Sequence, residues 1–112
     1  FVAEKSLANY YETTVSWTAG AVQTITHNLG AIPVRVEFEV VMKTAGAGMA
    51  VGQSAMTSMT IQAAASYNAM ARSGTTTTVE VVVAPQGLAV LVAGGSSVLS
   101  PAQADLKVKV FT

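Results

Sequence analysis

The sequence contains no cysteine and only one histidine, His27. Without thiols the chain forms neither disulfide bonds nor thiolate zinc sites, and it offers no cysteine nucleophile. A single histidine cannot supply the several converging ligands that a metal site needs, and no calcium-loop pattern of spaced Asp residues is present. We therefore predict no metal site, no cofactor-binding site and no cysteine-based catalysis.

Charged residues are also scarce. Only 11% of the residues carry a charge, and six Lys and Arg balance six Asp and Glu, whereas about a quarter of residues are charged in ordinary soluble domains. Because the net charge is zero, no long-range field attracts a phosphate backbone, and we expect no nucleic-acid partner. Apolar residues make up 51% of the chain. So few charges favour association, and we expect other subunits to cover much of the surface.

Long hydrophobic runs are missing as well. The longest uninterrupted apolar runs, such as 81–84 and 88–93, are far shorter than the roughly 18 residues that span a bilayer as a helix. We therefore expect no insertion into a membrane.

Short β-strand patterns separated by turn residues are what the chain does contain. The clearest is VRVEFEV, in which apolar residues alternate with Arg35, Glu37 and Glu39. This period of two predicts a strand that buries the apolar set and leaves the charged set in solvent or at an interface. The residues predicted to be buried are Val34, Val36, Phe38 and Val40.

Other segments show weaker strand patterns. YETTVSW (11–17) and AVQTITH (21–27) flank a turn at Ala19-Gly20, and together they predict a hairpin. The remaining predicted elements are strands over 77–84, 88–93 and 106–111, a loop at 94–97, a glycine-rich loop after Lys43, and one helical turn over 100–105 with Ser100 as its cap and Pro101 in its first position.

Residues 55–72 fit two patterns. Met56, Met59 and Ala63 recur at spacings of three and four, which is typical of a helix face. Alternating residues also fit a strand, and the nearby Thr and Ser residues lower helix propensity. We favour a strand over 56–63, followed by an irregular link to Gly74.

Seven to eight short strands with turn signals about every 8–12 residues are typical of an all-β fold. We predict an antiparallel β-sandwich or a jelly-roll-like domain. Residues 1–10 are assigned to an N-terminal arm, and residues 11–112 to a single β-sandwich domain.

The segment THNLGAIP, which includes His27, predicts a sharp corner between two strands. Asn28 and Gly30 tolerate positive φ, and Pro33 fixes its own φ at the start of the next strand. A catalytic His27 would need a nucleophile or carboxylate partner, and no G-x-S-x-G elbow is present. We instead predict that one ring nitrogen of His27 bonds to a nearby carbonyl, and that alanine there costs about 1–2 kcal/mol of stability.

Two other residue sets raise functional alternatives. Glu37 and Glu39 lie on one face of their strand, about 7 Å apart, a spacing compatible with glycosidase carboxylates. Arg35 lies on the same face, which favours a solvated or intersubunit stripe, and we predict no catalytic site. The residues that could stack on a sugar or contact a partner are Tyr10, Tyr11, Trp17 and Tyr67, although a single Trp in a small β domain is more often in the core.

Two longer stretches are similar to a known class of protein. ITHNLGAIPVRVEFEVVMKTAGAGMAVGQ and the closing LSPAQADLKVKVF resemble small β domains of tailed-bacteriophage structural proteins, often found at fibre ends. That group has a T-H-x-L-G-x-x-P corner, a long alternating strand, a T-A-x-x-G-x-x-V-G loop and a final strand after an L-(S/T)-P-A turn. The resemblance runs in order from residue 22 to 112.

The resemblance implies a non-enzymatic virion protein that is assembled in the host cytoplasm and is typically trimeric. His27, Asn28, Gly30 and Pro33 would shape its corner, and other virion proteins would be its partners. A fibre protein carries a long shaft ahead of such a domain, whereas about ten residues precede the first strand here. The chain is therefore expected to be a fibre tip cut from a longer protein or a capsid decoration protein that docks through its N-terminal arm. The alternative is a lectin-like module that binds a host surface glycan.

Overall fold

A computed structural model describes residues 4–7, 9–57, 60–61, 66–92 and 95–112. These residues form twelve β-strands and no helix, and every strand pair is antiparallel. The strands are β1 (Glu4–Leu7), β2 (Tyr10–Val15), β3 (Val22–Thr26), β4 (Arg35–Met42), β5 (Ser54–Thr57), β6 (Thr60–Ile61), β7 (Ser66–Tyr67), β8 (Ala69–Arg72), β9 (Thr78–Val83), β10 (Leu88–Val92), β11 (Gly95–Leu99) and β12 (Ala104–Phe111). The predicted all-β, antiparallel fold class is confirmed.

Two larger sheets form a sandwich. One has the strand order β1-β2-β12-β4-β5 and the other has the order β3-β9-β8, while β6-β7 and β10-β11 are separate pairs. Inward-facing residues of both sheets belong to one hydrophobic cluster. The alternating patterns explain this arrangement, since every second residue of β12 is fully buried and β9 alternates in the same way. β12 lies at the centre of the larger sheet, paired with β2 on one side and β4 on the other.

The alternating pattern at VRVEFEV is confirmed as a strand, but its burial differs from the prediction: Val36 is only partly buried, and two other residues differ more. Val34 lies outside β4 and is 80% exposed. Glu39 was expected in solvent or at an interface, yet it is only 8% exposed because Lys109 of the neighbouring strand covers and pairs with it. Phe38 and Val40 are buried as predicted.

The predicted hairpin of 11–17 with 21–27 is wrong. β2 pairs with β1 and β12, whereas β3 pairs with β9, so the link between them crosses from one sheet to the other. The crossing is fixed at two points: buried Trp17 donates its Nε1–H to the carbonyl of Ala104 at 2.9 Å, and the Gly20 N–H bonds to the carbonyl of Val83. A turn signal shows where a chain bends, but it does not say which strands pair.

Three other segments also differ from the prediction. The irregular link expected before Gly74 contains β8, and the loop expected at 94–97 belongs partly to β11. Glu4–Leu7 of the predicted N-terminal arm pairs with β2 as an edge strand. Of the single strand favoured over 56–63, residues 56–57 belong to β5 and residues 60–61 to β6, and these two strands pair in different sheets. Residues 58–59 and 62–63 lie outside the described residues.

The glycine-rich loop after Lys43 is confirmed, with a tight turn closed by Gly46 and Met49. The helical turn predicted over 100–105 is present only as a turn at its start, since residues 104 and 105 already belong to β12. The N–H groups of Gln103 and Ala104 bond to the carbonyl of Ser100, and the Gln103 side chain accepts from the Ser100 N–H at 2.8 Å. This return bond from the third residue of the turn is half of a capping box.

Candidate functional site

His27 lies at the end of β3 and is 2% exposed. Its Nδ1 accepts a hydrogen bond from the Leu29 N–H at 3.0 Å, and its Nε2 lies 3.2 Å from the carbonyl of Thr75. Because Nδ1 accepts, the tautomer that satisfies both contacts is the neutral ring with its hydrogen on Nε2. The ring therefore links residues 27–29 to the turn that precedes β9.

The rest of the corner is held by backbone hydrogen bonds to the same turn. The N–H groups of His27 and Asn28 both bond to the carbonyl of Thr77, and Gly30 bonds to Thr76. Asn28 has φ 53° and Gly30 has φ 81°, conformations that these two residue types adopt at low cost. Pro33 lies two residues before β4 and packs against Gly74. A Cβ added at Gly74 would lie only 3.2 Å from the Pro33 ring, so the two residues pack closely.

Two of the four aromatic residues that were candidates for sugar stacking lie in the core. Tyr11 is 8% exposed and Trp17 is 5% exposed, so neither ring has a free face for a sugar. Tyr67 is half-buried next to β8. The structure does not bring these rings together into one exposed platform, and the alternative of sugar stacking does not hold for Tyr11 or for Trp17, whose core position is the one more often found for a single Trp.

Tyr10 lies on the outer face of the five-stranded sheet, where other side chains already engage it. Its ring centroid is 4.9 Å from that of Phe111, and its hydroxyl donates to Glu12 at 2.5 Å. Burial, together with this hydrogen bond, raises the pKa of Tyr10. The guanidinium of Arg35 covers Phe111 at 4.1 Å, so the aromatic pair is capped by a cation.

The two carboxylates on β4 are each paired with a cation. Glu37 lies 3.1 Å from Arg35 Nε, and Glu39 pairs with Lys109 across the β4–β12 ladder. The hydrogen bond from Lys109 holds the pKa of Glu39 below its usual range, and the same bond raises the pKa of Lys109. Glu39 is therefore ionised at neutral pH, and it has no proton to donate to a glycosidic oxygen.

A cleft of about 570 Å³ lies between the two sheets along β4 and β8. We call it the apolar cleft, because apolar side chains that point into the sandwich from β4, β8 and β9 line it. These residues are Val36, Phe38, Ala69, Ala71 and Val79. The two alanines of β8 are small, so the space between the sheets is left unfilled there.

Exposed apolar side chains surround the apolar cleft. Val34 is 80% exposed, Met56 65% and Met70 43%, and all three line the cleft. Ile32, 60% exposed, lies beside Gly74, which is another lining residue. These four are among seven large apolar side chains that are exposed in the described part of the chain, and their grouping around one cleft is a reason to consider it an interaction site.

The charged groups at the apolar cleft are neutralised within the chain. Arg35 pairs with Glu37, and Arg72 Nε lies 3.1 Å from Glu80 on the adjacent strand. All four side chains are partly exposed, so each pair contributes little to stability. A partner covering the cleft would therefore meet paired charges of both signs around an apolar centre.

A second cleft, of about 490 Å³, lies along β2 and β3, away from the β4 and β8 residues that line the apolar cleft. We call it the polar cleft, since Thr13, Gln23, Thr26 and Asn28 line it and no charged residue does. Sequence analysis missed this site. The available signal was the position of Thr13 between Tyr11 and Val15, which places a hydroxyl on the face of β2 that points into the sandwich.

No group of three or more His, Asp or Glu side chains is placed to hold a metal ion in the described ranges. Within the same ranges, no helix is long and apolar enough to cross a membrane. No protein-family model, curated protein or solved structure matches the chain. The function of the corner and of the two clefts must therefore be inferred from their own geometry.

Proposed function

We propose that this chain is a non-enzymatic structural subunit of a tailed-phage virion. It assembles with copies of itself as a homotrimer and acts as a capsid decoration protein or as the tip of a tail fibre. The observation that carries this proposal is the cluster of Ile32, Val34, Met56 and Met70 around the apolar cleft. The resemblance of residues 22–112 to phage β domains supports the virion assignment.

A second copy of the chain is the partner that best suits the apolar cleft. Each fully buried side chain of this size contributes about 1.5–3 kcal/mol relative to exposure, so covering the four would offset a substantial part of the cost of association. The chain has no net charge, and its ion pairs at the cleft are internal. Copies therefore approach one another without electrostatic repulsion.

The mass of the native particle, measured by light scattering over a dilution series, tests self-association. We expect a trimer of 11.5 kDa chains that persists on dilution. Val34→Glu should dissociate it, because a charge would then be buried at the contact, whereas Val98→Glu, at an exposed residue outside the cleft lining, should not. A wild-type monomer, or a Val34→Glu protein of unchanged mass, would contradict the proposed interface.

The virion assignment needs its own measurement. Phage particles produced by cells that carry this gene would be purified by density gradient, and their proteins identified by mass spectrometry. We expect the chain in the intact particles, in a number that is a multiple of three per vertex, face or fibre. Absence from pure particles would contradict the virion role even if the chain forms a trimer.

A further inference from the structure

We propose that the polar cleft is a binding site for a neutral oligosaccharide. This inference does not rest on the proposed virion role, and it involves residues other than the four aromatic ones considered from the sequence. Two polar side chains, Thr13 and Gln23, lie at positions where a β-sandwich normally has apolar ones.

The registers of the two sheets show which way these side chains point. Thr13 pairs with the fully buried Val108 of β12, and Gln23 pairs with Val81 of β9, which is 2% exposed. Directly paired residues project from the same face of a sheet. Thr13 and Gln23 therefore face the space between the sheets, and both are half-buried.

Neither side chain makes a hydrogen bond to another residue in the described ranges. A partly buried amide or hydroxyl without a protein partner is costly unless water or a ligand satisfies it. Both side chains are half-buried in a cleft that water enters, so water satisfies them in the free protein, and a ligand that offers the same hydrogen bonds can take the place of that water. Apolar residues at these two positions would extend the core, and the polar pair is therefore consistent with a binding role.

The chemistry of the polar cleft favours a neutral, hydroxyl-rich ligand. No charged residue lines it, whereas amide and hydroxyl groups that both donate and accept do, together with the apolar Val15 and Ile25. A sugar offers the matching surface, with hydroxyls that donate and accept around patches of C–H. The volume of about 490 Å³ is within the roughly 300–1,000 Å³ typical of ligand sites.

The corner described above positions one end of the polar cleft. Asn28 lines the cleft, and its backbone is fixed at φ 53° by the hydrogen bond from its N–H to Thr77. A side chain on a fixed backbone loses less conformational freedom when it binds. The buried ring of His27 accepts from the N–H of Leu29, the residue after Asn28, and contacts the carbonyl of Thr75, so the ring restrains the backbone on the other side of Asn28.

The binding test uses the full chain on an array of neutral and anionic glycans, followed by an NMR titration with the neutral glycans that bind. We expect saturable shifts at the backbone amides of 11–15 and 23–28. Gln23→Ala and Asn28→Ala should each weaken binding at least tenfold, while Gln86→Ala, at an exposed glutamine outside the cleft, should leave it unchanged. Absence of neutral-glycan binding, preference for anionic glycans, or shifts confined to other residues would each overturn the assignment.

A second measurement separates a binding role from a structural one. Thr13→Val and Gln23→Leu replace the unpartnered polar groups with apolar ones of similar size. If the polar groups are kept for a ligand, both variants should melt at the same or a higher temperature than the wild type and should lose glycan binding. A clear drop in melting temperature for both variants, with glycan binding retained, would assign these groups to the fold and overturn the proposal.

Discussion

Replacement of His27 by alanine is the sharpest test of what holds the corner. The substitution removes the acceptor for the Leu29 N–H and the contact to the Thr75 carbonyl, and it leaves a void where a side chain that is 2% exposed had packed. An unsatisfied buried group costs about 1–3 kcal/mol, and large-to-small changes in cores cost about 2–5 kcal/mol. Because water can reach the exposed Thr75 and the half-buried Leu29, we expect a loss of about 3 kcal/mol, more than the sequence alone predicted.

Two further variants separate the two hydrogen bonds. An asparagine amide oxygen can take the place of Nδ1, and a glutamine amide nitrogen can take the place of Nε2. His27→Asn should therefore retain the contact to Leu29, and His27→Gln the contact to Thr75. Both are expected to be more stable than His27→Ala and less stable than the wild type.

The assay is urea unfolding followed by the fluorescence of the single tryptophan, Trp17, which is 5% exposed. All variants are compared at one protein concentration, because self-association adds to apparent stability. Gln86→Ala is the exposed control. A His27→Ala protein within about 0.5 kcal/mol of the wild type, which is the range of ordinary surface substitutions, would refute the idea that the ring holds the corner.

Three other substitutions have expected outcomes. Ala47→Asn should stabilise the protein by about 0.5–1 kcal/mol in the same urea assay, because Ala47 has φ 50° in a tight turn whose conformation favours asparagine; a lower stability would contradict this. Gly87→Ala should cost about 1–2 kcal/mol, since an L-residue is strained at φ 87°, and an unchanged denaturation midpoint would argue against that strain. Lys109 lowers the pKa of Glu39 in the folded protein. The pair therefore stabilises the fold fully above pH 4.5, the ordinary pKa of the carboxyl, and this stabilisation is lost as the pH falls through the lowered pKa of the folded state. Glu39→Gln removes the same stabilisation. The free energies of unfolding of the wild type and of Glu39→Gln should therefore become equal in acid. If their difference stays the same at every pH, the ionised pair is not the cause of that difference.

Sequence reasoning worked where one face of a strand is buried and the other is not. β9 and β12 carry that alternation, and their positions were predicted within a few residues. It failed at β8 and at residues 95–97, where Ala, Met, Gly and Ser give little strand signal. These segments are strands because their neighbours along the chain, β9 and β10, supply pairing partners, and the side chains of a weak segment do not show that such a partner will pair with it.

The candidate sites show the same limit. His27 could be assigned to a corner because one histidine without partners leaves few other roles, but which carbonyl it meets depends on a turn 48 residues later in the chain. The burial of Trp17 agrees with the more frequent place of a single Trp in a small β domain, but its hydrogen-bond partner, the carbonyl of Ala104 at the start of β12, could not be predicted. The polar cleft needs residues of β2 and β3 to lie side by side in different sheets, and the sequence predicted that those two strands pair.

The position of β12 has a consequence for biosynthesis. β12 is the last strand along this stretch of the chain, yet it occupies the centre of the larger sheet, and its side chains at 104, 106, 108 and 110 are fully buried. β2 and β4 are joined in the sheet only through β12, so this sheet cannot close before residues 104–111 have been made. A chain that a frameshift or an early stop codon shortens before residue 104 would lack the centre of this sheet and the four side chains that fill the core there.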